Sequence, residues 1–270
     1  MRHVYPTIVA VLFAVTISTL PHTSTHAAPS VIVVSGNISV STTWTSGNIY
    51  YVTRDTTVVA GVTLKIEPGV IVKFRSNSGL IIDGKLEAMG TASQPIYFTS
   101  YRDDSVGGDT DGGGSSSGEK GDWNWIQFNA ISDDASLIEH AVIRYGGGKS
   151  WRRGVYGNVY LRDASPTIRH STLEYSEGAG IHAQNATPTL ICNDIMNNAA
   201  LGIHNASPDT IISAINQYWG DPSGPKHATL NPNGRGNGVS DGVTFVPWQT
   251  TSCGTPSSSL SGVFLPLVIR

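Results

Sequence analysis

The sequence predicts an all-β chain wound as a parallel β-helix, a solenoid in which each coil takes about 22 residues. The first observation is a repeat, because residues 165–168 (SPTI) and 187–190 (TPTL) are equivalent segments 22 residues apart (188 − 166). The second is that apolar residues occur in short alternating runs separated by Gly, Asn, Ser and Pro, which is typical of strands and turns. A fixed period of this length indicates stacked units that bury their apolar faces against one another.

The repeat also predicts which side chains stack between neighbouring coils. We expect Leu173 to lie on Ile195 and Ile181 to lie on Ile203, all facing inward. Residues 136–145 match residues 166–175 at an offset of 30 (166 − 136), so eight extra residues (30 − 22) form a loop between the two units.

A last unit is predicted to begin at residues 207–208 with a two-residue deletion. This alignment places Ile215 at a repeat position and aligns three polar turn residues, which we expect to hydrogen-bond along the solenoid as stacked amides do. These residues are Ser171, Asn193 and Ser213.

The first coils are expected at residues 31–60, with strands at 31–34 and 49–52, and they are expected to cap the solenoid. A final short strand is predicted at 243–246, closed by Trp248. Glycine, serine and charged residues interrupt the regular coils in three segments, which are predicted loops. These segments are 101–122, 146–157 and 221–242.

Three segments near the start of the solenoid resemble the opening coils of secreted bacterial right-handed parallel β-helix proteins, the pectin-lyase-like superfamily. They are residues 62–74 (VTLKIEPGVIVKF), 84–91 (GKLEAMGT) and 95–100 (PIYFTS). Residues 218–225 (YWGDPSGP) are similar to a sequence that closes such solenoids. The resemblance covers most of residues 40–250 and implies a right-handed β-helix. It implies no single activity, because this architecture hosts lyases, hydrolases, adhesins and structural surface proteins.

Residues 1–28 are predicted to be a signal peptide. Arg2 gives a basic start, the 13 residues from 8 to 20 are apolar, and Ala27 and Ala28 offer a cleavage site. The apolar stretch is shorter than the ~20 residues that span a membrane. A buried N-terminal helix is the alternative. The signal predicts a secreted or cell-surface protein with a β-helix over residues 29–249 and a Ser-rich linker with a short apolar tail over 250–270.

Charge and cysteine content narrow the function classes. The chain has 17 basic and 20 acidic residues, a net charge of −3, which argues against nucleic-acid binding, where a basic face is expected. We expect a monomer with no transmembrane span in the mature chain. Cys192 and Cys253 are the two cysteines, and both a disulfide and two independent thiols are compatible with the sequence.

The acid-rich loop is a candidate Ca²⁺ site, with Ca²⁺ as the one cofactor that the sequence suggests. Its candidate ligands are Asp103, Asp104, Asp109 and Asp111, and glycines between them would let carbonyl oxygens turn inward. The distal bidentate acid of a calcium loop is missing at its usual spacing, and Glu119 is a loose substitute. A plain solvated loop is the alternative.

The second insertion is a candidate contact for an extracellular polysaccharide or another cell-surface component. Aromatic faces stack on sugar rings, and arginine forks hold carboxylates. The candidate residues are Trp151, Arg152, Arg153 and Tyr156. An ordinary loop whose tryptophan packs on the solenoid wall is the alternative.

Two histidine pairs recur at equivalent positions, and neighbouring coils ~4.8 Å apart would let such a pair bind a metal. The pairs are His182 with His204, and His140 with His170. Repetition alone also explains two histidines in one column, and the sequence shows no third ligand.

The sequence shows no arrangement that indicates catalysis. Hydrolases of this fold cluster aspartates on neighbouring coils, whereas Asp163, Glu174 and Asp194 are expected in different columns. Arg144 is expected to form an ion pair with Glu174 across coils. We therefore predict a non-catalytic scaffold, adhesin or polysaccharide-binding module. The alternative is a carbohydrate-active enzyme, a polysaccharide lyase before a glycoside hydrolase.

Overall fold

The structure, a computed structural model, describes residues 29–148 and 156–254, and these residues form strands and turns without a helix. It follows that no helix in these two segments could cross a membrane. Most strands belong to three parallel sheets, here called sheets A, B and C. Sheet A contains β1 (Ser30–Val34), β3 (Asn48–Val52), β6 (Ile71–Phe74), β9 (Ile96–Ser100), β12 (Ala141–Arg144), β15 (Thr172–Glu174) and β18 (Asp194–Met196).

The other sheets complete each coil. Sheet B contains β4 (Thr56–Val58), β7 (Leu80–Ile82), β10 (Ile126–Phe128), β13 (Gly157–Arg162), β16 (Ala179–Gln184) and β19 (Ile203–Asn205). Sheet C contains β2 (Thr42–Trp44), β5 (Thr63–Ile66), β8 (Lys85–Met89), β11 (Leu137–Glu139), β14 (Thr167–Arg169) and β17 (Thr189–Ile191). A short pair, β20 (Ile212–Ser213) with β21 (Val243–Thr244), lies at the C-terminal end.

The chain is a right-handed parallel β-helix, as the sequence predicted. Each strand pairs in parallel with the equivalent strand of the next coil, and Thr167 lies opposite Thr189 at the expected period. Leu173 lies on Ile195 and Ile181 lies on Ile203, with all four side chains buried. The offset of 30 is also confirmed, because β11 pairs with β14.

The core is a continuous apolar column inside the three sheets. Ile143, Leu173 and Ile195 follow one another inward along sheet A with no exposed surface. The column continues to Trp219, also fully buried, because the bridge between residues 194 and 218 places Trp219 beside Ile195. The same core at the C-terminal end also contains Val239, Val243 and Phe245.

In the last three coils, the corners between sheets C and A (β11 to β12, β14 to β15 and β17 to β18) are one or two residues long. His140, His170 and Cys192 occupy these corners with positive φ values of 46°, 49° and 45°. This left-handed conformation is unfavourable for residues other than glycine, so the surrounding structure has to hold it in place.

A buried polar ladder runs beside these corners and holds them. The Oδ1 atom of Asn193 accepts a hydrogen bond from the Ser171 amide at 3.0 Å, and the Oε1 atom of Gln217 accepts one from the Asn193 amide at 2.8 Å. The prediction of Ser213 as the third member of this ladder was wrong, because Gln217 takes that place. The last unit is two residues longer than the repeat, since residue 218 pairs with residue 194 (218 − 194 = 24). Ser213 therefore lies exposed on β20 and Ile215 points outward, 39% exposed.

The two cysteines form a disulfide. Cys192 at a corner is joined to Cys253, with the Cα atoms 5.5 Å apart. Residues 250–254 fall in the predicted linker, yet Ser252 and Cys253 donate hydrogen bonds to Asp194 and tie this segment to the last coils.

Candidate functional site

Five charged side chains lie on the outer face of sheet A. They are called here the sheet A cluster: Lys73 on β6, Asp103 just after β9, Arg144 on β12, Glu174 on β15 and Asp194 on β18. Strand alternation directs the four strand residues outward, because their neighbours in sequence belong to the core. All five are buried, with exposures from 0% to 5%. Buried charges are tolerated when they are paired and hydrogen-bonded.

An ion pair between Asp103 and Arg144 is the centre of the cluster. The Nη2 atom of Arg144 lies 2.6 Å from the Oδ2 atom of Asp103, and the Nε atom donates to the same oxygen at 2.8 Å. Thr99 donates to Oδ2, and Ser105 donates to Oδ1 at 2.6 Å. The guanidinium also lies over the ring of Tyr145, 5.3 Å from its centroid. Both charges of the pair are thus neutralised within the protein.

Lys73 is covered by the loop of residues 101–122. Its Nζ atom donates a hydrogen bond to the Gly108 carbonyl at 2.5 Å. Burial lowers the pKa of Lys73, and the nearby carboxylates, with Asp103 first among them, oppose that shift. The loop backbone passes close to sheet A here, since a side chain at Gly107 would meet Ile49 at 2.8 Å.

Glu174 and Asp194 are carboxyl groups of neighbouring coils on the same face. Burial raises the pKa of Glu174, although Arg144 opposes the shift, and burial also raises the pKa of Asp194. The C-terminal segment covers Asp194, whose Oδ1 atom accepts a hydrogen bond from the Cys253 amide at 2.8 Å. Where two carboxyl groups lie near each other and one has a raised pKa, one can act as a general acid and the other as a general base.

The repeat pattern of the sequence did not predict that these five side chains lie together. The acids do lie in different columns, because Glu174 is level with Met196 and Asp194 is level with Thr172. However, both columns face outward from one sheet. The alternation of residues 172–174 around the inward Leu173 was the signal that could have placed them there. Arg144 is level with Glu174, as expected, and it forms an ion pair with Asp103.

The four candidate calcium ligands are not gathered around one point. Asp103 is engaged by Arg144, and the Oδ2 atom of Asp104 accepts a hydrogen bond from the Ser116 amide at 2.6 Å. Asp109 and Asp111 accept hydrogen bonds from glycine amides of their own turn, and these bonds lower the pKa of Asp109. Across residues 29–148 and 156–254, no group of three or more His, Cys, Asp or Glu side chains is placed to hold a metal. Calcium binding by this loop stays a prediction.

The predicted glycan contact is only partly described. Trp151, Arg152 and Arg153 lie outside the described residues. Tyr156 is half-buried just before β13, and its ring stacks on Tyr160 with the centroids 4.3 Å apart and the planes 4° apart.

Tyr156 is the first member of an outward aromatic row on sheet B. The row is called here the aromatic stripe and contains Tyr156, Tyr160, His182 and His204. The ring of His182 is nearly perpendicular to the rings of Tyr156 and Tyr160, with centroid distances of 4.9 Å and 5.3 Å. Burial lowers the pKa of His182 to about 4 and also lowers the pKa of His204. Both imidazoles are therefore neutral at pH 7.

Comparison with known proteins identifies the family. The profile described as a pectate-lyase-like beta helix domain matches residues 36–189, which is 154 of the 270 residues (189 − 36 + 1). The chain belongs to this family. The match spans the solenoid from the first coils into β17, so it includes Lys73, Asp103, Arg144 and Glu174 but ends before Asp194.

Comparisons with individual proteins add little to the family assignment of this pectate-lyase-like β-helix. One stretch of 53 residues is 40% identical to Protein bark beetle of Drosophila melanogaster, which covers 20% of this chain and 2% of that protein. No solved structure matches the chain. The family places the chain among carbohydrate-related β-helix proteins and leaves both a scaffold and an enzyme open.

Proposed function

We propose that this chain is an extracellular or cell-surface β-helix that binds polysaccharide without cleaving it. The proposal rests on the pairing of charges within the sheet A cluster. Arg144 and Asp103 form a buried ion pair, with Nη2 and Oδ2 2.6 Å apart, and so neutralise each other. Cleavage by proton abstraction needs a base within hydrogen-bond reach of the sugar and a cation that stabilises the developing charge. Arg144 is 5% exposed and already holds a carboxylate, so it is a poor candidate for either role.

The aromatic stripe supports the binding part of the proposal. Tyr156 presents a half-buried ring and directly follows residues 149–155, which carry Trp151, Arg152 and Arg153. Aromatic rings suit the apolar faces of sugars, and arginine forks suit carboxylates. The expected ligand class is therefore an acidic polysaccharide built from uronic acid units.

Binding can be tested by retention of the protein on immobilised pectate, alginate and neutral glucans. We expect retention on the uronates and its loss in an Arg152→Ala, Arg153→Ala double variant. The matched control is Arg54→Ala, Arg75→Ala, which removes two exposed arginines from the first coils. Equal retention of both double variants would contradict the assignment of binding to this insertion.

An enzyme is the second candidate, and one observation favours it. Glu174 and Asp194 both have raised pKa values and lie on neighbouring coils, as an acid and a base would. Sugar could reach Asp194 only after the segment around Ser252 leaves it. A Cys192→Ser, Cys253→Ser variant that gains cleavage activity, lost again on Glu174→Gln, would support this candidate.

A further inference from the structure

The structure assigns a transition-metal site of two histidine nitrogens to His182 and His204. The inference goes beyond polysaccharide binding and does not depend on it. The two residues are paired in register on β16 and β19, one coil apart, while Ile181 and Ile203 beside them face the core. Both imidazoles thus point outward from sheet B at adjacent positions.

The distance between the two Nδ1 atoms matches the distance between two nitrogen ligands of one metal ion. The two Nδ1 atoms lie 3.1 Å apart. With metal–nitrogen bonds of ~2.0–2.1 Å, two ligands of one ion lie roughly 2.9 Å apart at a right angle and roughly 3.3 Å apart at the tetrahedral angle. The observed separation falls between these values, so one ion can contact both nitrogens with little movement of either coil.

The orientation of the rings also allows both nitrogens to face one ion. The ring planes of His182 and His204 are 77° apart, with centroids at 4.6 Å. The lone pair of an imidazole lies in the plane of its ring, and the hydrogen bond between the two Nδ1 atoms shows that these nitrogens face each other. The two Nδ1 atoms are in hydrogen-bond contact, so one of them carries a proton, and that ring has to take the tautomer protonated at Nε2 before one ion can bind both Nδ1 atoms.

The second histidine pair has the opposite geometry and serves as a control. His140 and His170 are stacked, with centroids 5.2 Å apart and planes 20° apart. Nearly parallel rings direct their lone pairs side by side rather than toward a common point. Repetition therefore yields two histidine pairs, of which one is built to chelate.

The chemistry of the site indicates which ions it takes. Imidazole nitrogens suit Cu²⁺, Zn²⁺ and Ni²⁺, and Cu²⁺ binds most tightly among these for a given nitrogen site. Within residues 29–148 and 156–254, no third His, Cys, Asp or Glu joins the pair. The remaining coordination positions are left to water or to a donor from a bound partner. Tyr156 and Tyr160 pack against His182 and hold its ring in place.

The test is titration of the full chain, without a histidine tag, by Cu²⁺ and Zn²⁺ against a competing chelator. We expect one Cu²⁺ per chain, bound through two nitrogens by electron paramagnetic resonance. His182→Asn and His204→Asn should each weaken binding by more than the ~10–100-fold that loss of an outer partner costs. His170→Asn should bind as the parent does, and melting curves would show that each variant is folded.

Three results would overturn the assignment. They are the absence of a bound ion, affinity unchanged in the His204→Asn variant, and an equal loss of affinity in the His170→Asn variant. His204 is half-buried at the outer surface, so its variant should fold even where His182→Asn does not. The resonance spectrum of the parent counts the nitrogen ligands without any variant.

Discussion

Replacing Asn193 by alanine should destabilise the solenoid more than any exposed substitution. The Asn193 side chain is fully buried and makes three hydrogen bonds. Its Oδ1 atom accepts from the Ser171 amide at 3.0 Å, and its Nδ2 atom donates to the Ile168 carbonyl at 2.9 Å and to Gln217 at 3.0 Å. Alanine leaves the Ser171 amide without a partner in a place that water does not reach.

The size of the effect follows from these contacts. An unsatisfied buried amide costs about 1–3 kcal/mol, and each of the two other lost hydrogen bonds contributes about 0.5–1.5 kcal/mol. The sum is about 2–6 kcal/mol. For a chain of this length, 4 kcal/mol corresponds to a fall in Tm of roughly 8–16 °C.

Calorimetry of the parent and the variant measures this fall, and hydrogen exchange at the Ser171 amide reports the site itself. The matched control is Asn233→Ala, since Asn233 is exposed and should change stability by less than about 0.5 kcal/mol. A variant at position 193 that melts with the parent and keeps its Ser171 amide protected would refute the ladder as a source of stability.

Three further outcomes are expected. A Cys192→Ser, Cys253→Ser variant should lose up to about 4 kcal/mol in denaturant unfolding, the loop-closure value for a separation of 61 residues, and an unchanged midpoint would contradict this. Burial lowers the pKa of His182 from 6.5 to about 4, so the unfolded chain binds the extra proton first and stability falls as pH drops through this window, by about 3 kcal/mol. His182→Asn should flatten that part of the profile of Tm against pH, whereas His170→Asn should leave it in place. If the acidic loop holds Ca²⁺, a chelator should lower the Tm of the parent and leave Asp109→Ala, Asp111→Ala unaffected, and a parent that melts identically with and without chelator would exclude the site.

The regular part of the fold could be predicted from the sequence because each coil repeats its inward residues. The stacking of Leu173 on Ile195 and of Ile181 on Ile203 needs only the period and the alternation of strands. The last unit could not be aligned correctly, since two extra residues and a weak repeat made Ser213 as acceptable as Gln217. Only the pairing of residues 194 and 218 decides between them.

The candidate site was harder to predict because its contacts are long-range and come from segments outside the repeat. Asp103 reaches Arg144 across 41 residues, and Cys253 reaches Asp194 across 59. Composition shows that residues 101–122 form a loop, but it carries no information about the sheet on which the loop lies. The acids were therefore assigned to calcium or to isolated columns, whereas burial and the Arg144 ion pair join them into one cluster.

The most direct test of binding without cleavage measures retention and turnover on the same polysaccharides. The full chain would be incubated for long periods with pectate, alginate and related uronates in the presence of Ca²⁺, with both unsaturated and reducing products followed. We expect the protein to be retained on at least one uronate while neither product rises above the level without protein. A reproducible rise in the parent that disappears in Glu174→Gln would contradict the proposed function and identify the sheet A cluster as an active site.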